Sequence, residues 1–330
     1  MVEPIYLDYN GTTPLDPEVI AAMRPFLERE FGNPSSSHWY GIKPKQAVEG
    51  ARRQVAGLLN CRPDELFFTS GGTESNNHAI KGIARSMKSQ GRHIVTSAFE
   101  HPAVLEVCRY LAAEGFETTC VPVDDQGMVD PGEVERALRP DTILVTVMHA
   151  NNEVGTVQPI AEIAAIARRH GIPVHTDAAQ SLGKIPVDVQ ALGADLLSVA
   201  GHKLYAPKGI GALYVRRGLQ PEKFCHGAGQ ERGWRAGTEN VPFIVALGKA
   251  CEIAGRDLPA CMAHLQAMRD CLHHGIADGL TGGRLNGHPE RRLPNTLSLA
   301  VRNLEANRIL EEIGLEVYNY QKLPFFARSV

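Results

Sequence analysis

With 330 residues, 43% of them hydrophobic, the chain can bury one large core and a second, smaller one. Its 34 basic and 37 acidic side chains nearly cancel to a net charge of −3 and are scattered, which argues against a nucleic-acid or membrane-surface partner. No apolar run is long enough to span a bilayer, and Met1-Val2-Glu3-Pro4-Ile5 lacks the basic and apolar regions of a signal peptide. The seven cysteines, odd in number and without a CxxC pair, indicate neither a disulfide framework nor a zinc site, so a cytoplasmic location is expected.

Glu65-Leu66-Phe67-Phe68-Thr69 reads as a short buried strand, followed by a helical pattern from Ser75 to Ser89. His93 to Ser97 reads as a strand and Pro102 to Glu114 as a helix; Thr118 to Val123 and about Pro131 to Leu138 repeat the pair. Ile143-Leu144-Val145-Thr146-Val147-Met148 is an apolar run broken by no charged residue, as expected for a strand covered on both faces. A helix from Ile160 to His170 is stopped by Gly171 and Pro173. Val174 to Thr176, Leu196 to Val199 and Gly211 to Val215 are further strands. This alternation predicts a mainly parallel sheet with helices on both faces. After Asn240 the texture changes. Val241 to Gly255 and Leu258 to Ile276 read as two long helices, and glycine, proline and basic residues crowd between Gly279 and Pro294. A strand at Thr296 to Val301 and a helix at Leu304 to Ile313 then begin a second domain.

In open α/β sheets, ligands bind at the carboxyl ends of the strands. Gly201-His202-Lys203 ends one apolar run, and His175-Thr176-Asp177-Ala178-Ala179-Gln180 ends another. A lysine and an aspartate so placed suit pyridoxal 5'-phosphate: the amine takes the aldehyde, and the carboxylate keeps the pyridine nitrogen protonated. Ser70-Gly71-Gly72-Thr73-Glu74-Ser75 opens a helix with small residues, either as a phosphate cradle or as a plain helix start; it lacks the GKT/GKS ending of a P-loop. His101 either lies on a flat ring or is structural. Asn151-Asn152-Glu153 either makes a turn or reaches a phenolic oxygen. Gln180, three residues past Asp177, shares its side on a helical turn.

The chain resembles the class-V aminotransferase-like cysteine desulfurases and the related selenocysteine lyases. The resemblance runs from about Tyr6 to about Val317. It rests on Tyr6-Leu7-Asp8-Tyr9-Asn10-Gly11-Thr12-Thr13-Pro14, Gly32-Asn33-Pro34-Ser35-Ser36, Phe68 to Asn76, Asn151 to Gly155, His175 to Gln180, Gly201-His202-Lys203 and Arg235 to Asn240. It implies the pyridoxal-phosphate-dependent transferase fold of type I, with a large cofactor-binding domain over 16–245. A smaller α+β domain from 246 onward is joined by residues 1–15. The catalytic residues it implies are Lys203, which carries the aldehyde, Asp177 at the pyridine nitrogen, and His101, which stacks on the ring. Asn152 and Gln180 then lie near the phenolic oxygen, and Gly72, Thr73 and His202 hold the phosphate. Thr238 reaches the cofactor of the other subunit of a homodimer. No metal is implied. The substrate is L-cysteine or L-selenocysteine, and a sulfur-acceptor or scaffold protein of iron–sulfur cluster assembly is the implied macromolecular partner.

Two departures stand out. Ala200 replaces a serine that often precedes Gly-His-Lys and can bond the phosphate. Family members also carry a mobile loop whose cysteine thiolate attacks the substrate sulfur and becomes a persulfide. Here Leu304-Glu305-Ala306-Asn307 and Leu310 to Val317 look like the helix leading to that loop, but Tyr318 to Val330 contains no cysteine and no small-residue loop. The chain is therefore expected to stop before the cysteine loop, with an atypical tail from about 318, and to be impaired in turning L-cysteine into L-alanine and an enzyme persulfide. Among the remaining thiols, Cys225 is the best placed substitute, in the loop before Gly227 to Arg232. Cys251, Cys261 and Cys271 read as packing residues, and Cys61, Cys108 and Cys120 lie outside the motifs. A selenocysteine lyase and a non-catalytic cofactor-binding truncation product are the alternatives.

Overall fold

The computed structural model describes residues 5–279, 282–302 and 317–318. After a two-residue strand β1 (Ile5–Tyr6), the helices α1 (Pro17–Glu28) and α2 (Trp39–Leu59) precede the central sheet. Asp16 starts α1 by accepting the Glu18 amide, with Pro17 preset for the first turn. Asn60, left-handed at φ 53°, ends α2. Both helices come before the strand–helix alternation legible from Glu65 onward.

That alternation runs through β2 (Leu66–Thr69), α3 (Gly72–Ser86), β3 (His93–Ser97), α4 (Pro102–Ala113), β4 (Glu117–Val121), α5 (Pro131–Ala137), β5 (Thr142–Thr146) and α6 (Ile160–Arg169). It continues with β6 (Val174–Asp177), the single turn α7 (Val189–Leu192), β7 (Leu196–Ala200) and β8 (Gly211–Val215). The strands form one seven-stranded sheet in the order β2-β8-β7-β6-β5-β3-β4. From β4 to β7 every pairing is parallel, and β8 runs antiparallel to both β7 and β2. The sheet is thus mainly parallel and helix-flanked, as the sequence predicts.

All residues of β2, β3, β5, β6, β7 and β8 are buried, because helices cover both faces. Successive side chains go to opposite faces. Leu196 packs with Ile80, Ile83 and Leu111 of α3 and α4, and Leu197 with Val55 and Leu59 of α2. Val145 and Val174 pack with Ile160 and Ile163 of α6.

The chain then enters α8 (Val241–Gly279), one continuous helix where the sequence reads as two. Pro259 lies inside it. Proline removes the hydrogen bond to the Gly255 carbonyl, but Gly255 and Pro259 are both exposed, so water satisfies the freed oxygen and the helix continues. The first part of α8 buries Val241, Ile244, Leu247 and Cys251 against α1 and α2. Farther on, β9 (Gly283–Leu285) pairs antiparallel with β10 (Leu299–Val301), and β1 pairs in parallel with β11 (Val317–Tyr318). The helix expected at Leu304 to Ile313 and the tail beyond Tyr318 lie outside the described residues.

Candidate active site

Strands β6 and β7 are parallel neighbours, with Asp177 paired to Ser198. Beyond Ala200 the chain makes one tight turn over Gly201–Lys203. Glycine is needed at 201: a Cβ there would lie 2.9 Å from the Ile210 carbonyl oxygen. The turn sends Lys203 Nζ to the carbonyl oxygens of Asn10 and, at 2.7 Å, Gly11. Burial lowers the Lys203 pKa against the opposing pull of Asp8, Asp177 and Glu153, which makes the neutral amine easier to reach.

Asp177 is buried at the end of β6. Its Oδ2 accepts a hydrogen bond from Asn76 Nδ2 at 2.6 Å, and its Oδ1 accepts the Ala179 amide at 2.9 Å, so the carboxylate is fixed in direction. The chain then makes a single turn in which the Ser181 and Leu182 amides both donate to the Ala178 carbonyl. Gln180 on that turn donates from Nε2 to the Asn10 carbonyl at 2.9 Å and accepts Lys184 Nζ on Oε1 at 3.0 Å. Lysine and glutamine therefore meet on one oxygen of the N-terminal loop.

His101 caps α4. Its Nδ1 accepts the Ala103 amide at 3.0 Å, so the ring proton resides on Nε2. Its outer edge is exposed, but desolvation of the ring still lowers its pKa; Asp177 opposes that shift and Lys203 adds to it. The imidazole is consequently neutral. His202 is also held neutral, at a pKa of about 4, first by burial and then by Lys203. Its Nδ1 lies 3.2 Å from Thr12 Oγ1, and its carbonyl accepts both the amide and the hydroxyl of Thr13.

The N-terminus of α3 follows β2 directly and has no side-chain cap, so its first N–H groups are available to an anion. A Cβ on Gly72 would stand 3.2 Å from that of Ala200, so this helix start abuts the end of β7 beside His202. Thr73 is exposed at the same end. Asn152 joins the cluster through its backbone, accepting Asn10 Nδ2 at 3.1 Å, while its own amide is turned onto Glu153 Oε1 at 2.6 Å.

Thr238 is not drawn into this cluster. It is exposed and makes no side-chain hydrogen bond among the described residues. Its loop is anchored instead by Arg235, which donates to Glu74 of α3 at 3.0 Å, and by Glu231, whose carboxylate takes a bidentate pair from Arg52 at 2.7 and 2.9 Å.

Four further residues belong to the site. Asn76 was legible only as part of the Thr73-Glu74-Ser75-Asn76 string. Asn10 was legible only as part of the Tyr6 to Pro14 string; toward Gln180 and Lys203 it acts through its carbonyl, which no side-chain pattern reveals. Lys184 is buried, with its pKa lowered to about 7 by desolvation and then by Lys203. Glu100 is buried against Ser97 Oγ and the Met148 amide, and desolvation pushes its pKa up to about 8.

An amine, a fixed carboxylate, a neutral imidazole and an uncapped helix start, with the buried Asn76 Oδ1 unpartnered among the described residues, fit a flat pyridine ring that bears an aldehyde and a phosphate. Residues 5–316 match the sequence pattern of the family described as aminotransferase class-V. The chain belongs to the class-V aminotransferase family. Enzymes of this family depend on pyridoxal phosphate. This class-V chain is 48% identical over 316 residues to the cysteine desulfurase IscS of Dictyoglomus turgidum, spanning 96% of its own length and 80% of that protein. It is 45% identical over 313 residues to the cysteine desulfurase of Homo sapiens, spanning 94% and 68%. Among solved structures, a NifS-like protein superposes with a TM-score of 0.92 at 39% identity, covering 96% of this chain and 87% of that one. SspA in complex with cysteine superposes with a TM-score of 0.83 at 37% identity, covering 94% and 87%. By these resemblances the class-V chain is an enzyme of the cysteine desulfurase type. None of its described helices is long and apolar enough to cross a membrane.

Proposed function

We propose that the protein is a pyridoxal-phosphate-dependent cysteine desulfurase, which converts L-cysteine to L-alanine and passes the sulfur to a thiol. The observation that carries this reading is the placement of Lys203 and Asp177 at the carboxyl ends of neighbouring parallel strands, in a chain whose relatives bear that name. Lys203 Nζ would hold the aldehyde carbon and Asp177 the ring nitrogen. His101 would lie on the ring face. Gly72, Thr73 and His202 would hold the phosphate, and Asn152 and Gln180 the phenolic oxygen.

When bound, the cofactor supplies an electron sink for the substrate's α-carbon. Lys203 Nζ, eased toward neutrality by burial, is the base that takes the α-proton. His101, fixed through Nδ1, keeps Nε2 for a second proton transfer. Asp177 is held in line by Asn76 and Ala179.

Sulfur transfer also needs a thiolate. Its Sγ bonds the substrate sulfur, the carbon–sulfur bond breaks, and that electron pair stays on the substrate carbon, which is then protonated to alanine. Burial pushes Cys61 and Cys108 up to about 12 and raises Cys120, Cys251 and Cys261 as well, so these thiols stay protonated. Cys225 and Cys271, like Cys120, are exposed. We therefore assign the limiting step of these 330 residues to sulfur transfer, not to α-proton removal.

The division into a large domain over 16–245 and a smaller one from 246, joined by residues 1–15, belongs to this reading. So does a cytoplasmic homodimer in which Thr238 reaches the opposite cofactor, working with a sulfur acceptor in iron–sulfur cluster assembly. Incubation with L-cysteine in deuterated water should exchange the α-proton readily and release alanine slowly. A chain carrying a cysteine loop after Val317 should release alanine faster; equal release by both would contradict the assignment of the slow step. A cofactor-loaded monomer at micromolar concentration in sedimentation would contradict the dimer.

A further inference from the structure

Lys184 follows the turn that carries Gln180 and belongs to none of the roles assigned above. It is only 6% exposed. Its Nζ donates to Gln180 Oε1 at 3.0 Å, while the other edge of the same amide, Nε2, donates to the Asn10 carbonyl at 2.9 Å. That carbonyl also accepts Lys203 Nζ. A line of hydrogen bonds thus runs from Lys184 through Gln180 and Asn10 to Lys203.

The direction of the Gln180 amide within this line is fixed by chemistry, not by shape. The two edges of a primary amide are almost equal in size and opposite in polarity, so packing alone does not choose between them. An ammonium only donates, and Oε1 is the one hydrogen-bond acceptor that Lys184 Nζ meets among the described residues. Burial draws the Lys184 pKa down to about 7; the charged amine offers no acceptor, and once it is neutral the Asn10 carbonyl still opposes a flip. A flipped amide would set N–H against Nζ at one end and oxygen against the Asn10 carbonyl at the other. Gln180 and Lys184 are buried and Asn10 is half-buried, so the mismatch at the Lys184 end would not be relieved by water.

We propose that Lys184 is a positioning residue that holds Gln180 with its N–H edge toward the cofactor's phenolic oxygen, so that the site offers a donor there and not an acceptor. This rests on the reading of the site given above.

The test uses the loaded protein and the pH midpoint at which the visible absorbance of bound pyridoxal phosphate changes. A donor on the phenolic oxygen favours its anion, so loss of the donor raises the midpoint. Lys184→Met and Gln180→Ala should each raise it by about half a pH unit and weaken cofactor retention about 2- to 10-fold, the size of one ordinary hydrogen bond. The double variant should shift no more than either single one, because both act through one amide. Gln180→Glu leaves Lys184 a partner but presents only oxygen, and should shift at least as far as Gln180→Ala. A wild-type midpoint in Lys184→Met, even with a lowered melting temperature, would make Lys184 merely structural and overturn the inference. Additive shifts in the double variant, or a wild-type midpoint in Gln180→Glu, would do the same while leaving Lys203 and Asp177 in their roles. A protein that takes up no cofactor at all would overturn the site reading and this inference together.

Discussion

Asn76 donates a 2.6 Å hydrogen bond to Asp177, so the carboxylate at the end of β6 is aimed by the same helix, α3, whose uncapped start forms the anion cradle. One element therefore sets two distances at once, from the phosphate to the helix and from the ring nitrogen to the carboxylate.

This arrangement predicts the behaviour of Asp177→Asn. The cradle is untouched, so the cofactor stays bound. The group that keeps the pyridine nitrogen protonated is gone, and α-proton exchange should fall about 10²- to 10³-fold, as for other pre-positioned electrostatic groups. Exchange followed by NMR at matched cofactor loading measures this; full exchange in the loaded variant would remove Asp177 from the ring nitrogen.

The loop that carries Thr238 hangs on a buried ion pair. The Arg52 and Glu231 side chains are 4% and 3% exposed, Glu231 Oε2 also accepts the Phe68 amide at 2.9 Å, and Glu231 adopts a left-handed φ of 47°. Breaking this pair leaves the buried guanidinium with only the partly exposed Glu49 carboxylate, 3.2 Å from Nε, to offset its charge. Glu231→Gln should cost about 3–5 kcal/mol in urea unfolding at pH 7. A loss below about 1 kcal/mol, the range of exposed pairs, would contradict this account of the loop.

Buried histidines set the acid limit. Desolvation holds His78, His149 and His202 near 4 and His175 near 3, against an ordinary 6.5. The unfolded chain takes up these protons below about 6.5 while the fold refuses them until about 4. Their contribution is thus fully present above 6.5 and is lost as pH falls through that window. Glu100, pushed up to about 8, works in the opposite sense but is a single group. The urea midpoint should therefore drop between pH 7 and pH 5. Both nitrogens of His78 lack a hydrogen-bond partner among the described residues, so His78→Leu should be nearly neutral at pH 7 and flatten part of the drop. An equal drop in the variant would clear His78 of this role.

The sheet was legible because its strands are covered on both faces. Ile143 to Met148 and Leu196 to Val199 have no polar residue to confuse with a surface position except Thr146 and Ser198, and both of these bond to His175. The strand-end residues Asp177 and Lys203 were legible for the same reason. Helix α8 was divided too early, since sequence shows Gly255 and Pro259 as breakers but not that both face water. The contacts of Asn10 and Lys184 were not legible, for a different reason. One works through a carbonyl that every residue possesses. The other is a lysine, a residue expected at the surface, whose burial depends on a turn that only the folded chain defines.

The central claim is that Lys203 is the attachment point, and one measurement addresses it directly. Purified protein loaded with pyridoxal phosphate should be yellow, and borohydride reduction followed by peptide mapping should find the cofactor mass on the peptide that contains Lys203, with Lys203→Ala left unlabelled. Label on Lys184 or Lys208 instead, or equal labelling of the Lys203→Ala protein, would contradict the account.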